Sequence, residues 1–262
     1  MDERRIGIFD SGIGGTSIWG EIQELLPSES CVYLADSKNA PYGEKSEERI
    51  IELSIKNTEY LLNKGCKLIV VACNTATTNA IDYLRENYNV PFIGIEPAIK
   101  PAAINTRSKI VGVLATKGTL SSSLFHSTSK NHTAGITVLE QRGTGLVEMI
   151  ENGNVESKVL YRLLEGYITP MLDKGMDYLV LGCTHYPYLI PVLKKMLPEH
   201  VTIIDSGQAV ARQTKTVLEA SDLLTNSTNS GAHHFYTNGD VNVLASILHK
   251  AKADHIVSFK DF

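Results

Sequence analysis

Leu68-Ile-Val-Val-Ala-Cys73 and Tyr178-Leu-Val-Leu-Gly-Cys183 are two short apolar runs, each ending in a cysteine, 110 positions apart. Neither alternates polar with apolar residues, as a strand with one wet face does. Both read as strands buried on both faces. Polar residues follow at once, Asn74-Thr75 in the first and Thr184-His185 in the second. Such strands belong to parallel sheets covered by helices, and they set the fold class as α/β.

The same layout recurs around both runs. Ile6-Gly-Ile-Phe-Asp10, Val32-Tyr-Leu-Ala-Asp36 and Pro91-Phe-Ile-Gly-Ile95 accompany the first. Ile110-Val-Gly-Val-Leu114, Ile136-Thr-Val-Leu139 and Val201-Thr-Ile-Ile204 accompany the second. Gly7 and Gly112 stand 105 positions apart, so a small insertion reconciles the two series. Helices are predicted over 17–26 (Ile18, Ile22, Leu25 and Leu26 on one face), 46–64 and 75–88. The repeat predicts two pseudo-symmetric domains, each a mostly parallel sheet flanked by helices, with the site in the cleft between them. Residues 98–207 make the second domain, and residues 1–97 make the first together with a returning tail, 208–262. In the tail the pattern predicts helices over 208–224 and 241–253, a polar loop over 225–231, and strand-like Phe235-Tyr236 and Ile256-Val-Ser-Phe259.

The chain of 262 residues is 43% hydrophobic and 21% charged, a balance that builds a core and excludes disorder. With 25 Lys and Arg against 29 Asp and Glu, it lacks the basic surplus of a general nucleic-acid or membrane-surface binder. No 18-residue apolar run exists, and Met1-Asp-Glu-Arg-Arg-Ile6 leads straight into a strand, so a cytoplasmic protein is expected. The four cysteines, Cys31, Cys66, Cys73 and Cys183, form no CxxC pair and no zinc-type Cys/His spacing. Neither a disulfide scaffold nor a metal centre is expected. Cys31 and Cys66 flank apolar runs and read as small buried hydrophobes.

Cys73 and Cys183 do not fit that plain role. Ligands of open parallel sheets bind beyond the carboxyl ends of the strands. Those ends carry Asp10-Ser11-Gly12-Ile13-Gly14-Gly15, Cys73-Asn74-Thr75, Thr116-Lys117-Gly118-Thr119 and Cys183-Thr184-His185. The repeat aligns Cys73 with Cys183, Asn74 with Thr184 and Ser11 with Thr116, which places one thiol on each side of one cleft. The glycine loop is not GxGxxG, since position 17 is Ser, and it lacks the GK[ST] of a phosphate loop. It reads as a tight turn compatible with binding a carboxylate. Asp10 has a plain alternative as a carboxylate at a helix N-terminus. His126, His132, His200, His233, His234, His249 and His255 lie in polar or terminal stretches and are assigned no role.

Ile8-Phe-Asp-Ser-Gly-Ile-Gly-Gly15, Pro41-Tyr-Gly43, Ala72-Cys-Asn-Thr-Ala76, Glu96-Pro-Ala98 and Gly182-Cys-Thr-His-Tyr-Pro187 together resemble the glutamate racemases, over about Ile6 to Asp205. The resemblance implies a cofactor-independent enzyme that makes D-glutamate for bacterial peptidoglycan. It implies a homodimer and neither metal nor pyridoxal phosphate. Cys73 and Cys183 resemble the two catalytic bases. Asp10, Ser11, Tyr42, Gly43, Asn74, Thr75, Thr184 and His185 resemble substrate-binding and supporting positions, and Thr116 and Thr119 further hydroxyl contacts. Asp10 is expected to assist near Cys73 and His185 near Cys183. Glu151 resembles an acidic residue near the second cysteine in some members. Thr16 departs from the family, where many members have an apolar residue, and Gln141-Arg-Gly-Thr-Gly145 replaces a Cys-Pro-type segment. Members activated by a cell-wall precursor commonly carry extra N-terminal sequence; five residues precede the first strand here, so such activation is not expected.

Two thiols suit racemisation because each must act as base for one enantiomer and acid for the other. A cysteine with a reference pKa of about 8.5 occupies either state after modest shifts. The helix that starts after Cys73 is expected to lower that pKa further. Three other readings compete. A Cys183/His185 hydrolase needs a sharp turn to bring residues two apart to one side. A solute-binding protein would keep its function without thiols. An aspartate racemase of the same superfamily would share them.

Overall fold

The apolar runs form two parallel sheets. The computed structural model describes residues 3–249, 251 and 253–262. In the first sheet are β1 (Ile6–Asp10), β2 (Cys31–Ala35), β3 (Leu68–Val71) and β4 (Phe92–Gly94). The second contains β5 (Ile110–Ala115), β6 (Thr137–Arg142), β7 (Tyr178–Gly182) and β8 (Thr202–Ile204). Two late strands, β9 (His233–Thr237) and β10 (His255–Phe259), return to the first sheet. The orders are β10-β9-β2-β1-β3-β4 and β6-β5-β7-β8, with every pairing parallel. Thus β2-β1-β3-β4 is repeated as β6-β5-β7-β8, the correspondence predicted by the repeat.

Helices cover both faces. α1 (Thr16–Leu25), α2 (Glu47–Asn63), α3 (Asn74–Asn87) and α4 (Ile99–Asn105) connect the first strands. α5 (Lys117–Leu120), α6 (Ser123–His132), α7 (Leu146–Glu151), α8 (Lys158–Asp173) and α9 (Ile190–Met196) serve the second sheet, and α10 (Gly207–Ala220) and α11 (Val241–Leu248) belong to the tail. In α2 the Ser46 side chain accepts the Arg49 N–H, and Glu47 and Glu48 complement the helix dipole in the first turn. Its buried Ile50, Leu53, Asn57 and Leu61 recur every three to four residues and face the sheet. Each such aliphatic side chain contributes about 1.5–3 kcal/mol by burial. α8 does the same with Leu160, Leu164, Ile168 and Met171.

One buried cluster runs through both halves, joining Ile8, Leu68 and Ile95 to Leu146, Leu179 and Leu181. The sheets therefore share a core. Lys67, just before β3, is fully buried against Glu29 at 2.8 Å, and Glu29 also accepts the Thr225 N–H. Through that second bond Glu29 ties the tail to the underside of the first sheet.

Three predictions about the tail and the histidines need correction. The helix predicted over 208–224 ends at Ala220, and Asp222 has a left-handed φ of 56° that turns the chain. The helix predicted over 241–253 ends at Leu248; positions 250 and 252 lie outside the described residues. His233 is not a peripheral residue: it is buried in β9, where its Nδ1 accepts the Trp19 Nε1–H at 3.3 Å. Burial pushes its pKa down to about 4, so it is neutral.

Candidate active site

The central strands of both sheets deliver thiols to one cleft. After β3 the backbone stays extended through Cys73, which caps α3: its Sγ accepts the Ala76 N–H at 3.4 Å. The same sulfur donates to Ser11 Oγ at 3.6 Å. After β7 the chain turns sharply, with the Tyr186 N–H on the Cys183 carbonyl at 3.0 Å. This turn brings His185 Nδ1 to 3.8 Å from Cys183 Sγ. Cys73, Cys183, His185, Ser11, Asn74, Thr75, Thr116, Gly43 and Tyr42 line a single narrow cleft, together with Pro41 and Val147.

Asp10, Thr184 and Thr119 stand immediately behind that lining. Asp10 Oδ2 accepts the Gly12 N–H at 3.1 Å, and its Oδ1 accepts the Thr184 hydroxyl at 3.0 Å. Thr119 Oγ1 lies 3.2 Å from Thr75 Oγ1 and 3.1 Å from Thr116 Oγ1; Thr75 and Thr116 lie 2.8 Å apart. These three hydroxyls close the seam between the halves. Tyr42 contributes less than its position suggests. Its phenol points away, donating to Asp36 at 2.5 Å and accepting from Asn57 at 3.0 Å. Burial and Asp36 hold that phenol protonated.

The glycine loop does bind a carboxylate, but one of the protein's own. Glu151, at the end of α7, accepts the Ile13 N–H at 2.7 Å through Oε1 and the Ser37 hydroxyl at 2.9 Å through Oε2. Oε1 also lies 2.6 Å from His185 Nε2. A Cβ on Gly12 would fall 1.9 Å from Glu151 Oε1, and one on Gly14 would fall 2.3 Å from the His185 ring. Glycine is required there because carboxylate and imidazole press against the loop backbone. Glu151 is thus a site residue that the site set drawn from the sequence omits. The resemblance points to Glu151 only as an acidic residue near the second cysteine; the folded contacts place it on His185 and on the glycine loop.

The titrations of Asp10, His185 and Cys73 are displaced. Burial raises Asp10 to about 6, with His185 opposing the shift. His185 is raised well above the ordinary imidazole value: hydrogen bonding to Cys183 and Glu151 and the charge of Asp10 overcome its burial. Cys73 is also raised, which corrects the expectation of a lowered value. Burial and the Asp10 carboxylate outweigh the Ala76 N–H and the Ser11 hydroxyl. Asn74 Nδ2 is buried in the cleft with no hydrogen-bond partner among the described residues, a donor facing the region where an oxygen-rich ligand would sit. Among the described residues, no group of three or more His, Cys, Asp or Glu side chains could hold a metal ion, and no helix is long and apolar enough to cross a membrane.

A model of the Asp/Glu/Hydantoin racemase family matches residues 16–214. The glutamate racemase of Ectopseudomonas mendocina is 47% identical over 244 residues, covering 93% of this chain and 92% of that protein. Among solved structures, the glutamate racemase isoform RacE1 of Bacillus anthracis aligns with a TM-score of 0.89 at 31% identity, over 100% of this chain and 99% of that one. The glutamate racemase of Escherichia coli, solved with L-glutamate and the activator UDP-MurNAc-ala, aligns with a TM-score of 0.86 at 34% identity, over 97% of both chains.

Proposed function

The chain belongs to the Asp/Glu/Hydantoin racemase family, and we propose that it interconverts L- and D-glutamate by proton transfer between Cys73 and Cys183. The observation that carries this reading is the pair of thiols at equivalent strand ends, lining one cleft from opposite halves. Two α/β domains, 1–97 with 208–262 and 98–207, form that cleft between them.

One thiolate takes the α-hydrogen as a proton, and the opposite thiol delivers its own proton to the other face. A turnover leaves the enantiomer inverted and the two protonation states exchanged. The reverse turnover restores them. Burial, which raises the Cys73 pKa, makes its thiolate a stronger base toward carbon while reducing the ionised fraction. Asp10 and Ser11 stand on the Cys73 side, and protonated His185 offers an N–H to Cys183 from the other. Cys183 deprotonates L-glutamate and Cys73 deprotonates D-glutamate, as the family resemblance implies.

The substrate carboxylates are received by the Asn74 amide, the Ser11 hydroxyl and the Thr75–Thr116–Thr119 cluster. Donors fixed in a buried cleft stabilise the charge that develops as the proton leaves. The Thr184 hydroxyl donates to Asp10 and acts by orienting that carboxylate. No metal or organic cofactor enters this scheme. Supply of D-glutamate to peptidoglycan, assembly as a homodimer and a cytoplasmic location complete the reading on the strength of the resemblance.

The test is incubation with L-glutamate and with L-aspartate separately in D₂O. Alpha-deuterium incorporation with loss of optical rotation is expected for glutamate. Exchange of aspartate alone would move the activity to the other member of the superfamily.

A further inference from the structure

Cys73 and Cys183 are only 4% and 7% exposed, so an amino acid reaches them by parting the seam between the halves. The outer edge of that seam is ionic. Arg142, the last residue of β6, places Nη2 at 2.6 Å from both carboxylate oxygens of Glu44. Glu44 follows Tyr42 and Gly43 directly, in the short 3₁₀ turn Tyr42–Glu44 of the first half. The pair borders an outer depression that shares Pro41, Gly43, Thr116 and Val147 with the thiol cleft. It therefore sits across the path from solvent to the thiols.

Two features make this pair exchangeable. Its side chains are 40% and 45% exposed, a degree at which an ion pair is weakly held. It also uses the guanidinium incompletely: one nitrogen serves both oxygens, while Nε is buried without a hydrogen-bond partner. A carboxylate laid side-on against Nε and a terminal nitrogen would gain the second bond that Glu44 does not provide.

We propose that Arg142 is a substrate-binding residue at the mouth of the cleft, taking a carboxylate of the incoming acidic amino acid in exchange for Glu44 and so opening the seam. The inference rests on the racemase reading. Carboxylate replaces carboxylate, so the guanidinium is never left unpaired as the halves part.

The test is steady-state racemisation of both glutamate enantiomers by the full chain and its Arg142→Gln, Arg142→Lys and Glu44→Gln variants. Arg142→Gln should lower kcat/KM about tenfold in both directions while kcat stays within about twofold, since the contact belongs to capture rather than to proton transfer. Arg142→Lys, which keeps the charge but not the side-on pair of bonds, should recover only part of the loss in kcat/KM, and Glu44→Gln should lower KM by removing the competing carboxylate. Added salt should depress kcat/KM in the parent protein and leave Arg142→Gln unaffected. An unchanged kcat/KM in Arg142→Gln overturns the proposal. So does an equal loss of kcat and kcat/KM that Arg142→Lys shares, which marks a packing role. A parent protein that fails to exchange the α-hydrogen of glutamate overturns the racemase reading itself, whereas an active parent with an indifferent Arg142→Gln overturns the mouth site alone.

Discussion

His185 Nε2 and Glu151 Oε1 lie 2.6 Å apart, and the same oxygen accepts the Ile13 N–H at 2.7 Å. This contact links the neighbour of the second thiol to the loop that carries Asp10 and Ser11 of the first half. One carboxylate thereby orients the imidazole and ties the two strand ends together in the closed cleft.

Replacing that carboxylate should have a signature in pH. The raised His185 pKa is a stabilising contribution present in full below the ordinary imidazole value of about 6.5, and it is lost as pH rises through the folded-state value. Glu151→Gln removes one cause of the elevation. Its thermal stability should therefore fall most below the ordinary imidazole pKa, by about 1–3 kcal/mol, and the deficit should shrink as pH rises. Melting temperatures across pH, with ring-nitrogen NMR of His185, check this. An unaltered His185 titration would reject the coupling.

Cys73→Ser and Cys183→Ser should each abolish racemisation. Each should still catalyse one-sided chemistry, elimination from a glutamate analogue with a β-leaving group, from the enantiomer that faces its remaining thiol. Full racemisation by either single variant would end the two-base assignment. Loss of elimination from both enantiomers in both variants would place the proton acceptor elsewhere.

Asp10 offers a test in which function and stability move oppositely. Burial holds its pKa at about 6, above the usual carboxylate value. The sign is then fixed: its contribution to stability is present below about 4 and is lost as pH rises to about 6. An Asn at this position can accept the Gly12 N–H and donate to Thr184, reproducing both hydrogen bonds without the charge. Asp10→Asn should raise stability at pH 7 by on the order of 1–3 kcal/mol while slowing catalysis. The parent rate should climb with pH through about 6, and the variant should lack that limb. A destabilised Asp10→Asn would show that the carboxylate is held for the fold.

Much of this was legible because backbone periodicity and strand-end position are local properties. Leu68-Ile-Val-Val71 and Tyr178-Leu-Val-Leu-Gly182 are strands, and the order 2-1-3-4 recurs as 6-5-7-8. Cys73, Cys183, Ser11 and His185 could be placed together because parallel strands deliver their carboxyl ends to one edge. What escaped were partners chosen by packing across large sequence distances. Glu151 meets Ile13 across 138 positions, and His233 meets Trp19 across 214. The Cys73 pKa departs from the expectation for a related reason: the helix N-terminus is written in the sequence, but complete burial and the nearness of Asp10 are not.

The departure at Thr16 acquires a physical meaning in Tyr188. Thr16 Oγ1 donates to the Ile13 carbonyl at 2.6 Å and accepts from the Tyr188 hydroxyl. Thr16 opens α1 in the first half, and Tyr188 lies in the turn after Cys183 and His185, so the pair spans the halves behind the thiols. Burial raises the Tyr188 phenol to about 12, which keeps it a neutral hydrogen-bonding group. Thr16→Leu leaves that phenol facing an apolar side chain and should cost about 1–3 kcal/mol, the penalty of a buried polar group without a partner. Tyr188→Phe should cost less, since Thr16 keeps its bond to Ile13. In the Thr16→Leu/Tyr188→Phe double variant the phenol is gone, and the loss should fall short of the sum by about 0.5–3 kcal/mol. Denaturant unfolding of the four proteins closes the cycle. Strict additivity would mean that the two hydroxyls meet without energetic coupling and that this pair adds nothing to the tie between the halves.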